Sequence, residues 1–178
     1  MRKSAKTALG GIIAAISVAL MLLSAVIPFT EYALPAFTGA LMIVMVIEVG
    51  KGWAFSAYIS VSILSLILLA NKEAAMMYVA FFGWYPIFKP IVEGRVKPKI
   101  LQWVIKFLAF NAAVVSAYFI LIGIFGLRPE DLTEHGLPGL IALLLGGNAM
   151  FVVFDMFINR IVALYLNRWQ AKFRKIFK

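Results

Sequence analysis

The chain has 178 residues, 63% of them hydrophobic, with a mean hydropathy of +0.97, a formal net charge of +9 and no cysteine. A soluble domain carries nearer ~45–50% apolar residues, so this composition argues against a water-soluble enzyme or nucleic-acid-binding domain. The positive charge points instead to anionic lipid headgroups or an acidic partner. Without cysteine there is no thiol catalysis or disulfide, and the single His135 lies in a loop, so no histidine-based metal site is expected.

Six apolar stretches follow one another, and each is continuous rather than alternating. A bilayer interior cannot satisfy exposed backbone groups, so continuous runs of this kind are helices. At ~20 residues per span they leave only short connections. The expected fold is therefore an all-α integral membrane protein, a compact six-transmembrane-helix bundle forming one domain over residues 1–178. The first span covers 7–27, longer than a signal-peptide core and with no small-residue cleavage site directly after it, so it is read as retained. A loop through Thr30, Glu31 and Tyr32 leads to a second span at 36–49, and Gly50-Lys51-Gly52 turns the chain into a third at 53–70. The fourth occupies 74–91, and Pro86 is expected to kink it by removing a backbone donor.

The fifth apolar run, from Ile100 to Leu127, would reach ~40 Å as a helix against a hydrocarbon core of ~30 Å. Its embedded part is therefore placed at 107–127, with Lys106 at the membrane interface. The sixth span covers 138–159, and Arg160 marks its exit. Beyond it, Val162, Tyr165, Leu166, Trp169, Phe173, Ile176 and Phe177 recur at helical spacing among Arg168, Lys172, Arg174, Lys175 and Lys178. Residues 160–178 are thus expected to form a basic amphipathic extension, suited to the membrane surface or to a partner groove.

Charge fixes an expected orientation. Arg2, Lys3, Lys6, Lys51, Lys89, Arg95, Lys97, Lys99 and the C-terminal basic residues fall on one side, against Lys72 and Arg128 on the other. Glu31, Glu73, Glu130, Asp131 and Glu134 lie on that sparsely basic side. By the positive-inside rule both termini are cytoplasmic.

Ionisable residues within spans are costly and become functional candidates by default. Glu48 and Asp155 sit at the level of Lys51, Lys106 and Arg160, so Glu48, Lys106, Asp155 and Arg160 read as a structural ion-pair cluster tying spans two, five and six together. The outer half carries no charge. Its polar groups are Tyr78, Ser116, Tyr118 and Asn148, with Asn111 lower down, aromatic walls such as Phe82, and Glu31 and Tyr32 at the mouth. Together they outline a small-molecule pocket; taken singly, the same groups serve equally well as helix-to-helix hydrogen bonds and interfacial aromatics. No nucleophile elbow, zinc-protease helix, phosphate loop or Mg²⁺-spaced acidic cluster occurs, so no catalytic residue and no cofactor is expected.

Gly11, Ala15 and Ala19 recur every four residues on span one, a spacing that admits a second helix closely. This stripe, on the first of six helices in so short a chain, resembles the substrate-binding (S) component of energy-coupling factor (ECF) transporters. The resemblance implies a protein of the prokaryotic plasma membrane that binds a vitamin or similar micronutrient in the outer half of spans four to six. It further implies docking, through the stripe, on a transmembrane coupling subunit driven by two cytoplasmic ATPases. The alternative is a small membrane scaffold or assembly factor that recruits a partner through its basic C-terminal helix, and a third reading is a proton-coupled carrier using Asp155 or Glu48.

Overall fold

The computed structural model describes residues 3–27, 30–125 and 136–171. The expected outer loop with Arg128, Glu130, Asp131, Glu134 and His135, and tail residues 172–178, lie outside these. The described residues are helical throughout, with no strand: α1 (Lys3–Ser24), α2 (Ala33–Glu48), α3 (Lys51–Leu68), α4 (Lys72–Met77), a π turn (Tyr78–Phe82), α5 (Tyr85–Arg95), α6 (Lys99–Phe125) and α7 (Gly136–Leu164), which runs on into a second π turn (Tyr165–Trp169). Five helical stretches are long and apolar enough to cross a membrane: Lys3–Ser24, Lys51–Leu68, Lys72–Arg95, Lys99–Ile124 and Leu144–Trp169. The chain is thus of the multi-pass α-helical membrane type.

Each described connection within residues 30–125 is too short for a crossover to a parallel neighbour, so successive helical stretches there run antiparallel. Local chemistry sets their ends. Gly50 takes a φ of 109° between α2 and α3, a left-handed conformation open to glycine without steric cost. The Asn71 side chain accepts from the backbone N–H of Glu73 (3.0 Å) and Ala74 (3.1 Å), capping α4. Lys72 donates to the Leu66 and Leu69 carbonyls at 2.7 Å each, satisfying the end of α3.

The sixteen-residue α2 is shorter than its neighbours, at ~24 Å by helical rise. It is also the central element, packed against α1, α3, α4, the π turn, α5 and α7. Its shortness is tolerable because protein, rather than lipid, surrounds most of it. The fourth span is interrupted as expected, but the break precedes Pro86. A π turn at Tyr78–Phe82 closes with Gly83 N–H on the Tyr78 carbonyl (2.8 Å), and α5 restarts with Pro86 in its first turn. Proline has no N–H for the carbonyl four residues back, that of Phe82. That carbonyl instead lies against Gly39 of α2, where an added Cβ would come within 2.1 Å of its oxygen.

The helix carrying Arg160 runs on through Leu164 into the expected helical extension. The π turn then adds a residue to the helical period and rotates the following face. Val162 and Tyr165 pack inward, whereas Leu166 and Trp169 are exposed, so these apolar residues do not share one face. Lys106 is 2% exposed, packed among the helices rather than turned outward.

Gly39→Ala is expected to force α2 away from the π turn and lower unfolding free energy by about 1–3 kcal/mol. Thermal melting of the purified variant in detergent measures this, with Gly11→Ala, whose added methyl meets nothing within 4 Å, as the neutral reference.

Candidate functional site

At the end of the bundle carrying Arg95, Lys97 and Lys99, the buried Asp155 of α7 gathers three donors on one carboxylate oxygen, Oδ1. The Tyr85 hydroxyl donates at 2.5 Å, the Lys106 ammonium at 3.2 Å, and the Lys89 ammonium is in direct contact. Glu93 completes the group through its Oε1, 3.2 Å from Lys89 Nζ and 2.5 Å from Lys106 Nζ. Two cations and two anions therefore close a neutral quartet that ties α5, α6 and α7 together. Lys106 also lies 5.1 Å from the centroid of the Trp103 ring. Phe81, Phe110, Phe151 and Phe154 pack beside the quartet with ring centroids 4.8–5.7 Å from one another along the chain of contacts, which excludes water and strengthens the pairing.

Of the four residues expected in this cluster, the structure brings Lys106 and Asp155 together. Glu48 lies elsewhere, its Oε1 accepting from Gln170 Nε2 at 3.1 Å, which fastens the helical extension of α7 to the end of α2. Arg160 is exposed. The tie is therefore between spans four, five and six, not two, five and six. Lys89 and Glu93 were legible only as loop charges because two prolines flank Lys89; in fact α5 extends to Arg95 and carries the Lys89 side chain inside, 4% exposed.

The residues expected to line the outer pocket do not meet in one place. Asn148 and Asn111 form a closed amide pair between α7 and α6, each Nδ2 donating to the other's Oδ1 at 3.0 and 3.1 Å. Their remaining N–H groups go to the Phe107 and Leu144 carbonyls, both at 2.8 Å, so the pair joins helices and leaves no donor for a ligand. Ser116 is exposed and donates to the Ala112 carbonyl of its own helix (2.7 Å). Tyr118 is half-buried, edge-on to Phe119. Phe82 is buried against Phe154, with centroids 4.9 Å apart.

Tyr78 is different. It is fully buried, and its hydroxyl has no hydrogen-bond partner among the described residues. Glu31 and Tyr32 lie at the same end of the bundle. Partial burial, then the carboxylates of Glu73 and Glu31, push the Tyr32 phenol above its ordinary pKa, which places the loop before α2 close to the start of α4. Glu31, Tyr32 and Glu73 therefore neighbour one another where α2 and α4 begin. Gly11, Ala15 and Ala19 are all exposed on the outer side of α1, while Leu9, Ile13, Ser17 and Met21 face inward. An added methyl at Gly11 would meet nothing within 4 Å.

Among the described residues no group of three His, Cys, Asp or Glu side chains could hold a metal ion. These features define the class, a multi-pass helical membrane protein with a buried neutral ion quartet. No family model, curated protein or solved structure matches the chain.

Removing one member of the quartet leaves an uncompensated buried charge, a loss of about 3–5 kcal/mol. Asp155→Asn and Lys106→Met are each expected to lower the melting temperature sharply, whereas Glu93→Gln costs less because that side chain is 37% exposed. In a double-mutant cycle, the Asp155→Asn/Lys106→Met pair should lose clearly less than the sum of the single losses.

Proposed function

We propose that this chain is a substrate-binding component of an ECF-type transporter. It takes up a small vitamin-like solute from outside and docks on a transmembrane coupling subunit driven by two cytoplasmic ATPases. The observation that carries this reading is the direction of the small-residue stripe. Ordinary packing would turn Gly11, Ala15 and Ala19 into the bundle, but they face away from it, leaving a shallow groove flanked by the exposed Ile12 and Ile16. Small residues at four-residue spacing are the surface that lets a partner helix approach to backbone contact in lipid. Loss of lipid-facing side-chain volume at that groove has no use inside the monomer.

The exposed cations Lys3, Lys51, Arg95, Lys97, Lys99 and Arg168 gather at one end, and Glu31 and Glu73 at the other. The positive-inside rule then puts the basic end, both termini included, in the cytoplasm of a prokaryotic cell, beside anionic headgroups. This orientation leaves the acidic end open to solute from outside. Because the natural chain has no cysteine, single-cysteine labelling reads the orientation directly: Lys97→Cys should react only after the cytoplasmic face is opened, and Glu31→Cys in intact cells.

Ala15→Leu and Ala19→Leu are expected to abolish uptake and recovery of the coupling subunit and ATPases in a gentle detergent pull-down, while solute binding survives. Unchanged recovery in both variants would refute docking through α1. If deletion of residues 169–178 alone abolished partner recovery, the scaffold reading would take its place.

A further inference from the structure

We propose that the loop Arg95–Lys99, with the outward stripe of α6 directly below it, binds one anionic phospholipid of the surrounding bilayer. The headgroup phosphate pairs with Arg95, Lys97 and Lys99, and an acyl chain lies along Ile100, Val104 and Leu108. A site of this kind is independent of whether the chain carries a solute.

Three cations fall within five residues of chain, and all three are exposed. Connectivity alone holds their Cα atoms within about 14 Å of one another. The backbone between them is tied down from both sides. Val96 N–H donates to the Val92 carbonyl at 2.9 Å, which keeps the loop at the end of α5. From α6 the Gln102 side chain reaches back to the Val96 carbonyl at 2.7 Å, and the Gln102 N–H donates to the Pro98 carbonyl at 3.1 Å. Pro98 fixes a backbone angle between the two lysines. The loop is thus organised before any ligand arrives, which lowers the ordering cost of binding.

The protein supplies no counter-charge to this loop. Glu93, the nearest acid in sequence, is held by Lys89 and Lys106 in the quartet. Among the described residues Arg95, Lys97 and Lys99 pair with no carboxylate. Two buried lysines therefore consume the acid that would otherwise neutralise Arg95, and three uncompensated cations remain at the end of the bundle. An anionic ligand completes the electrostatics that the quartet leaves open.

The surface below the loop selects a lipid over a soluble anion. Ile100 is 82% and Leu108 66% exposed, with Val104 exposed between them. Their four-residue spacing stacks them on one stripe of α6, over about 12 Å of helical rise. Among the described spans α6 is the least enclosed: 12% of its apolar stretch is buried, against 28–61% in the other four. Neighbouring helices thus cover little of it, and the bilayer must cover the rest. A cationic cluster continuous with an uncovered apolar stripe matches a molecule that carries charge and chain together. A free phosphate would engage the loop and leave the stripe.

The test is native mass spectrometry of the full-length chain in mild detergent, titrated with dioleoylphosphatidylglycerol or dioleoylphosphatidylcholine. Each basic residue near an anionic surface strengthens binding about fivefold, so wild type is expected to retain one phosphatidylglycerol with about tenfold preference or more. Arg95→Gln/Lys97→Gln/Lys99→Gln should erase that preference. Lys3→Gln/Lys51→Gln/Arg168→Gln, which removes as many exposed charges elsewhere at the same end, should keep it. Equal losses in the two triple variants would overturn the site and leave a diffuse basic surface. Equal retention of the two lipids by wild type would overturn it as well. Displacement of the lipid by glycerol phosphate at the same concentration would refute the lipid assignment in favour of a soluble phosphate.

Discussion

In a bilayer no bulk water reaches the helices, so each buried polar group must find its partner within the protein or remain unpaid. Much of this structure follows from how that constraint is met. Asn71 and Lys72 close the α3–α4 turn, and exposed serines bond back to their own helices. Asn111 and Asn148 consume each other, and Asp155 collects Tyr85, Lys89 and Lys106 on one oxygen. Against this thrift, the buried hydroxyls of Ser17, Thr38, Ser65 and Tyr78 stand apart, without a hydrogen-bond partner among the described residues.

The same constraint explains the middle of the bundle. Pro86 frees the Phe82 carbonyl, and the absence of a side chain at Gly39 lets α2 close on it. That contact holds α2 at the centre, where its sixteen residues suffice, and presents the π turn with Tyr78 toward α3. The break in the fourth span is thus a means of placing a tyrosine as much as a bend. Beyond the break, α5 restarts in a register that turns Tyr85 and Lys89 toward Asp155.

Helix α1 carries two surfaces with different tasks. Its inner face buries Ser17 beside Leu9, Ile13 and Met21, and its outer face presents Gly11, Ala15 and Ala19. The quartet, on α5, α6 and α7, stands away from both and braces the basic end.

The helical spans, their order and the segregation of charge were legible in the sequence, because continuous apolar runs and basic loops are local signals. The Gly11, Ala15 and Ala19 stripe was legible as a spacing, and Lys106 with Asp155 as a pair of buried charges at one level. The sequence did not disclose which way the stripe faces, since helical periodicity is blind to a helix's rotation in the bundle. Nor did it show that Lys89 and Glu93 replace Arg160 and Glu48 around Asp155, a choice made by the extension of α5 past two prolines. Whether Asn148 meets a solute or Asn111 depends on two helices thirty-seven residues apart in the chain, and only their packing settles it. Local composition determines that these helices enter the membrane; which polar groups are spent on one another, and which remain, is decided by long-range contacts that no single segment encodes.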